Sequence, residues 1–210
     1  VPDDISVTML ASGAIPLPPL LASARFDDKG SSITIRFDSA TNMASKTANS
    51  WVCSTVFSFG GASDAACSWV NNSAVTAVMN SDSSNLATVG DNVTLLGGVI
   101  KALCTSTSCT GYTFASSHSS ELLLPFNPVT PRVILSVPAL ISACDPLAVD
   151  ASLSTGFGGR VWSAVTWGVF GSDGKEVATL SDYLNGYGVV TSNTIVIPKS
   201  LLFLSSFAYT

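Results

Sequence analysis

Short apolar segments that alternate with polar residues, separated by polar turns, constrain the fold of this chain more than any other feature. The segment 32–37 shows the pattern most clearly, because Ile33, Ile35 and Phe37 fall on one face of an extended chain. A period of two residues is typical of a strand with one buried face. Residues 27–30 have the composition of a tight turn, so we predict a hairpin of this strand with residues 21–26.

Similar segments recur along the chain, and we find no convincing amphipathic helix among them. This spacing, with polar turns between the segments, favours an all-β fold built from tandem β-sandwich modules. Further strands are predicted in the first half at 75–79, 86–89 and 99–103, and the segment 89–95 is predicted to be a turn followed by a strand. In the second half they are predicted at 132–137, 147–152, 161–170, 177–180 and 194–198.

Proline divides the chain into parts. Residues 1–20 hold several prolines, which fix φ and remove backbone donors, so we expect an extended linker there. A second proline-punctuated segment, 125–131, predicts a domain boundary. We therefore assign residues 21–127 to a disulfide-containing β-sandwich module. Residues 128–210 are assigned to an immunoglobulin-like module that we expect to be incomplete.

The composition points to a neutral, hydroxyl-rich surface. Charged residues make up 11% of the chain, less than half of the usual share of about 25%. The net charge is -5 and no basic cluster is present, so we expect no nucleic acid partner. Serine, threonine, asparagine and glycine supply the polarity instead. Such a surface favours a secreted or cell-surface protein over a cytosolic enzyme.

Five cysteines carry the strongest chemical information: Cys53, Cys67, Cys104, Cys109 and Cys144. Since none has the CxxC spacing, a zinc site is weakly supported. Cys104 and Cys109 flank a turn-forming stretch, which favours a local disulfide between them. A disulfide between Cys53 and Cys67 would close a loop and stabilise the fold by about 3 kcal/mol. Those two disulfides leave Cys144, which we expect to pair with a cysteine outside this chain. The alternative is five buried free thiols in a reduced protein.

Two N-glycosylation sequons agree with secretion, Asn71-Asn72-Ser73 and Asn92-Val93-Thr94. We therefore predict Asn71 and Asn92 as glycosylation sites. No signal peptide is recognisable, and we expect any signal sequence or membrane anchor to lie outside the chain.

The sequence offers no catalytic constellation. The single histidine, His118, stands in a serine-rich stretch that we interpret as a polar loop, and no Gly-x-Ser-x-Gly motif is present. Glu121 and Glu176 are far apart in sequence, which leaves a hydrolase as the weakest hypothesis. We predict a protein that is not an enzyme and has no cofactor and no metal.

Two binding alternatives stay open. Oxygen ligands for calcium could come from Asp145, Asp150, Ser152 and Ser154, although such residues also cap turns. Tryptophan rings can stack on sugars, and Trp51 is the candidate for exposure. Two of the other tryptophans have structural interpretations, Trp69 against the disulfide at Cys67 and Trp167 in the core of an immunoglobulin-type module.

The second half carries an ordered set of motifs: the segment 144–154, Gly158-Gly159-Arg160, Trp162, Trp167-Gly168-Val169, the segment 193–198, Leu201-Leu202 and Tyr209-Thr210. This order resembles the opening of the receptor-for-egg-jelly region of polycystin-family ectodomains, where these motifs belong to immunoglobulin-like, PKD-type modules. In the first half, the segments 37–42, 53–69 and 89–91 resemble modules placed ahead of such regions in algal and protist surface proteins. Some of those proteins are ciliary and accompany polycystin-type channels or mastigonemes.

The resemblance implies a non-catalytic extracellular ectodomain that acts in adhesion, structural assembly or mechanosensory coupling at a cell or ciliary surface. The implied partners are proteins on the same surface, such as a polycystin-type channel or a filament protein, with glycans as further candidates. It implies no catalytic residues. The alternative is a carbohydrate-binding module of a secreted protein, based on the tryptophan, serine, threonine and asparagine content.

Overall fold

The computed structural model describes residues 14–81, 83, 85–105, 108–142, 144–158, 162, 164–186 and 194–202. The chain divides into two compact units, Val1–Pro128 and Val129–Thr210, which we call unit 1 and unit 2. The described residues form ten strands and one short α-helix, so the predicted all-β class is confirmed. Of the predicted N-terminal linker, residues 1–13 lie outside the described residues, and 14–20 have no regular secondary structure.

Unit 1 is a curled, mixed sheet of eight strands. The strands are β1 (Leu21–Phe26), β2 (Ser32–Phe37), β3 (Trp51–Val52), β4 (Phe57–Ser58), β5 (Ala66–Asn71), β6 (Ala74–Val78), β7 (Asn92–Leu95) and β8 (His118–Leu123). They lie in the order β3-β5-β6-β2-β1-β8-β7-β4. Neighbours are antiparallel except β1 and β8, which run parallel.

The predicted hairpin of β1 and β2 is confirmed. Its turn closes through a hydrogen bond of 2.9 Å from the Gly30 amide to the Asp27 carbonyl, and Gly30 has a φ of 73°. That φ is open to glycine but strained for other residues. Beyond the turn, Phe26 pairs with Ile33, and the large apolar side chains of both strands face the core.

The two strands at the ends of the sheet order are close to each other in sequence. β3 and β4 stand at opposite ends of the order, and only the 3₁₀ turn Cys53–Thr55 and Val56 separate them in sequence. Because the sheet curls, it surrounds one core of fully buried side chains. The largest of these are Phe57, Ile33, Ile35, Leu95, Ile100 and Leu122. Burial of this apolar surface is the main stabilising term of unit 1.

Unit 2 contains β9 (Leu147–Asp150), β10 (Thr194–Ile197) and the helix α1 (Ala178–Asn185). The two strands pair antiparallel, with Ile195 opposite Val149. Alternate strand residues, two helix residues and Val169 form its core: Leu147, Val149, Ile195, Ile197, Leu180, Leu184 and Val169. Leucines four residues apart on α1 lie on one helix face, which explains why both are buried.

The prediction of a strand at 177–180 is wrong, because α1 begins at Ala178. The predicted strand at 161–170 is also wrong for its described residues 162 and 164–169. At Trp167 and Val169, backbone groups bind side chains of α1 instead. Asn185 bonds both the amide and the carbonyl of Trp167 at 2.8 Å, and the Ser181 hydroxyl accepts from the Val169 amide at 3.0 Å. A chain satisfied in this way needs no strand partner.

Three other predicted strands are absent as continuous strands. Residues 86–89 have no strand pairing, and the segments 99–103 and 132–137 contribute only isolated bridges. The sequence analysis in turn missed β3, β4, β5 and β8. Among the described residues, no helix has the length and apolar character needed to cross a lipid bilayer.

Candidate functional site

The disulfide between Cys53 and Cys67 lies in the core of unit 1. Both cysteines are fully buried, and their Cα atoms are 5.0 Å apart. The bond joins the 3₁₀ turn after β3 to β5, beside the strand pair of Trp51 with Cys67. This is the pair that the sequence spacing favours. It fixes both ends of the intervening segment 54–66.

Two glycines shape the segment that this disulfide closes. The carbonyl of Gly60 accepts the Ala87 amide at 3.0 Å, and a Cβ on Gly60 would lie 2.8 Å from that nitrogen. Gly61 has a φ of 82°, and its carbonyl accepts the amides of Asp64 and Ala65. Side chains at either position would therefore clash or strain the backbone.

A surface cleft of about 460 Å³ opens beside these glycines. Polar side chains at its wall are four serines, one carboxylate and one amide, while aromatic and aliphatic groups complete the lining. We call it the serine cleft, lined by Ser54, Phe57, Ser58, Phe59, Gly61, Ala62, Ser63, Asp64, Ser83, Asn85 and Leu96. Hydroxyls and amides both donate and accept hydrogen bonds, so the lining suits a neutral polar ligand. Its titratable group is Asp64.

The second disulfide, Cys104–Cys109, closes a short surface loop with its Cα atoms 5.8 Å apart. Cys109 is exposed, in contrast to the cysteines of the core pair. Cys144 belongs to unit 2, where it is exposed and carries a free thiol. Its pairing with a cysteine outside the chain stays a prediction.

Both sequon asparagines are exposed. Asn71 ends β5, and its Oδ1 accepts from the amide of Ser73 at 2.8 Å and from the Ser73 hydroxyl at 3.1 Å. This arrangement closes the turn to β6. Asn92 begins β7, two residues before Thr94, whose hydroxyl lies 2.8 Å from that of Ser119. Both side-chain amides are reachable from solvent, and their glycosylation stays a prediction.

The tryptophans pack within their units and do not form an exposed stacking platform. Trp51, the candidate for exposure, is only 9% exposed and lies against Phe57 with ring centroids 6.2 Å apart. Trp69 stacks on Phe37 at 5.9 Å. In unit 2, Trp162 contacts Phe157, and Trp167 packs half-buried against the core. Trp51, the ring that the sequence analysis singled out, is therefore not available for stacking on a sugar.

His118 is not in a loop, as the sequence analysis expected, but is the first residue of β8, where it pairs with Leu95. Its side chain is exposed, as is that of Glu121 further along the strand. Glu176 belongs to unit 2. The serine-rich sequence does not predict this strand, because only Leu122 of β8 is fully buried.

The hydrogen bonds that the structure shows for the four candidate calcium ligands stabilise turns or join backbone segments. The amide of Ser152 donates to Asp150 Oδ1 at 2.8 Å, and this bond, with that of the Ser152 hydroxyl, lowers the pKa of Asp150. Ser154 bonds the backbone of Ile134 through its hydroxyl. Among the described residues, no group of three or more histidine, cysteine, aspartate or glutamate side chains could hold a metal ion.

No model of a known protein family matches this chain, and neither does any curated protein. The resemblance to polycystin-family ectodomains therefore stays a prediction.

Proposed function

We propose that this chain is a non-catalytic extracellular ectodomain segment that acts in adhesion or structural assembly at a cell surface. The observation that supports this most directly is the Cys53–Cys67 disulfide inside the core of unit 1. Disulfides persist in oxidising compartments and are rare where glutathione and thioredoxin keep thiols reduced. A core that packs around such a bond fits a chain that folds in the secretory pathway.

The surface supports recognition through hydroxyl and apolar groups more than through charge. Among the described residues, one salt bridge is present, between the exposed side chains of Lys175 and Asp173. Such a pair contributes little binding or stability. Proteins on the same surface are the proposed partners. A polycystin-type channel or a filament protein of the ciliary surface is the specific form that the sequence resemblance favours.

Thiol counting on the secreted chain tests the proposal. The chain is produced through the secretory pathway of a eukaryotic cell, denatured without reductant, treated with iodoacetamide and analysed by intact mass. We expect one alkylated cysteine, Cys144, and five after reduction. The Cys144→Ser variant is the matched control and should show none before reduction. Five alkylated cysteines without reduction would contradict the extracellular assignment.

A carbohydrate-binding module is the second candidate, and the serine cleft is the observation that favours it. Serine hydroxyls, the Asp64 carboxylate and the Asn85 amide are the groups that bond sugar hydroxyls, and Phe59 offers a half-buried ring beside them. The cleft combines a few polar groups with apolar surface, as small-molecule sites do.

A glycan array tests this candidate. If the cleft binds sugars, the chain should retain a defined set of glycans, and Asp64→Asn should weaken that binding about tenfold or more through loss of a charged acceptor. The matched control is Asp145→Asn, an exposed aspartate in unit 2, which should bind as the unchanged chain does. An array without any bound glycan would remove this candidate.

A further inference from the structure

We infer that unit 1 resists tension along the chain, because its first and last strands, β1 and β8, form a clamp that must be sheared before the unit unfolds. The proposed function supplies a source of tension at a cell surface. The resistance itself follows from the sheet topology and does not depend on where the protein is located.

The clamp arises from the parallel direction of β1 and β8. The two strands are hydrogen-bonded neighbours, with Ala24 opposite Leu122 and Arg25 opposite Leu123. The chain therefore enters the pair at Leu20 and leaves it at Leu124, at opposite ends of the two strands. Tension between these points slides one strand along the other. All hydrogen bonds between the strands then bear the force together, whereas pulling both strands from the same end would open them one by one.

Neither strand of the clamp lies at an edge of the sheet. β1 also pairs with β2, and β8 also pairs with β7, along most of their lengths. At the centre of the clamp, Ala24 and Leu122 are fully buried. Sliding therefore has to disturb the flanking pairs and the core contacts in the same step. Burial also keeps water from replacing these hydrogen bonds as they stretch.

A second set of contacts fastens the chain where it leaves β8. The Arg25 guanidinium donates to the Leu124 carbonyl and lies 3.9 Å from the centre of the Phe126 ring. The Asn127 amide donates to Asp28 Oδ1 at 3.0 Å. We call these contacts the Arg25 clasp. They extend the attachment of the chain to the β1 hairpin beyond the last residue of β8.

The chain is also fastened where it enters β1. The Leu20 amide donates to Asp38 Oδ1 at 2.9 Å, and the Asp38 amide donates back to the Leu20 carbonyl at 3.1 Å. Asp38 directly follows β2, so the start of β1 is tied to the end of its hairpin partner. Both points of force therefore act on fixed backbone.

The two disulfides lie between β1 and β8 in sequence and so limit how far unit 1 can extend. They close loops with sequence separations of 14 and 5 residues. At about 3.5 Å per residue, they withhold about 50 Å and about 20 Å of chain. Both disulfides belong to unit 1, so the chain length that they withhold distinguishes the unfolding step of unit 1 from that of unit 2.

Single-molecule force spectroscopy on the full chain, held at its two ends between marker domains, tests the clamp. In a second geometry, the chain is held at its C-terminal end and at an azide-bearing residue that replaces Lys29, an exposed position in the turn after β1. Force then acts on β1 and β8 from the same end. Reduction of the stretched chain identifies unit 1 through the added length.

We expect the unfolding force of unit 1 to be about twofold or more higher in the end-to-end geometry, because forced unfolding follows the barrier that the force direction must cross. Arg25→Ala should lower that force by opening the clasp. The matched control Arg36→Ala, on the exposed face of β2, should leave it unchanged. Equal forces in the two geometries would overturn the inference. High end-to-end force with five free thiols would keep the clamp and refute the extracellular proposal.

Discussion

Removal of the core disulfide by Cys53→Ala with Cys67→Ala is the perturbation whose magnitude the structure defines best. The bond closes a loop with a sequence separation of 14, for which the chain-entropy relation gives about 3 kcal/mol. Both cysteines are fully buried, so alanine also leaves unfilled space. That space should lower the free energy of unfolding by a further ~1–2 kcal/mol. We expect the free energy of unfolding of unit 1 to fall by about 4–5 kcal/mol.

The surface disulfide provides the matched comparison. Replacement of Cys104 and Cys109 by alanine opens a loop with a sequence separation of only 5, and the same relation gives about 2 kcal/mol. Cys109 is exposed, so its replacement leaves little unfilled space. The core variant should therefore lose roughly twice as much stability as the surface variant.

Urea denaturation followed by tryptophan fluorescence measures both losses, since Trp51 and Trp69 lie in the core region of unit 1. We expect unit 2 to contribute a separate transition, which neither pair of substitutions should shift. A loss below about 1 kcal/mol for the core pair would refute the argument from loop closure and burial. Equal losses for the two pairs would refute both the dependence on loop length and the part that rests on burial.

Three further changes test local features by urea or acid denaturation. Gly60→Ala would place a methyl 2.8 Å from a backbone nitrogen and should cost unit 1 about 1–3 kcal/mol; an unchanged midpoint would contradict this. Hydrogen bonds from Ser152 lower the pKa of Asp150 in the folded state below the ordinary value of 3.8. The ionised carboxylate therefore stabilises unit 2 above pH 3.8, and this stabilisation is lost as the pH falls through the pKa of the folded state. Asp150→Asn should remove this acid dependence from unit 2. Tyr183→Phe deletes a 3.1 Å bond to the Val196 carbonyl, with an expected loss of about 1 kcal/mol.

The β1–β2 hairpin could be predicted because its information is local. The alternation in 32–37 defines the buried face, and Gly30 allows the turn conformation. The two disulfides within the chain also follow from sequence spacing. In contrast, β8 reads as a polar stretch, since its position in the sheet is determined by pairing with β1 and β7, which are distant in sequence. Tertiary pairing overrides local propensity in such strands.

The helix α1 shows the same limit. Val177 and Leu180 look like part of a short apolar strand, and the helical spacing of Leu180 and Leu184 becomes decisive only when β9 and β10 present an apolar face. The serine cleft was not predictable either. It combines residues 54–64 with 83, 85 and 96, and the close approach of Gly60 to Ala87 that shapes it is a contact between separate segments.

The pairing of β1 with β8 also determines when unit 1 can complete its fold during synthesis. The Arg25–Leu124 contact spans 99 residues, so the ribosome must make nearly all of the unit before the β1 edge is covered. Both disulfides can close earlier, since each joins nearby residues. A chain interrupted before His118 would leave β1 and β7 as open edges that can pair with other chains. In the secretory pathway that we propose for this chain, quality control would therefore retain such fragments.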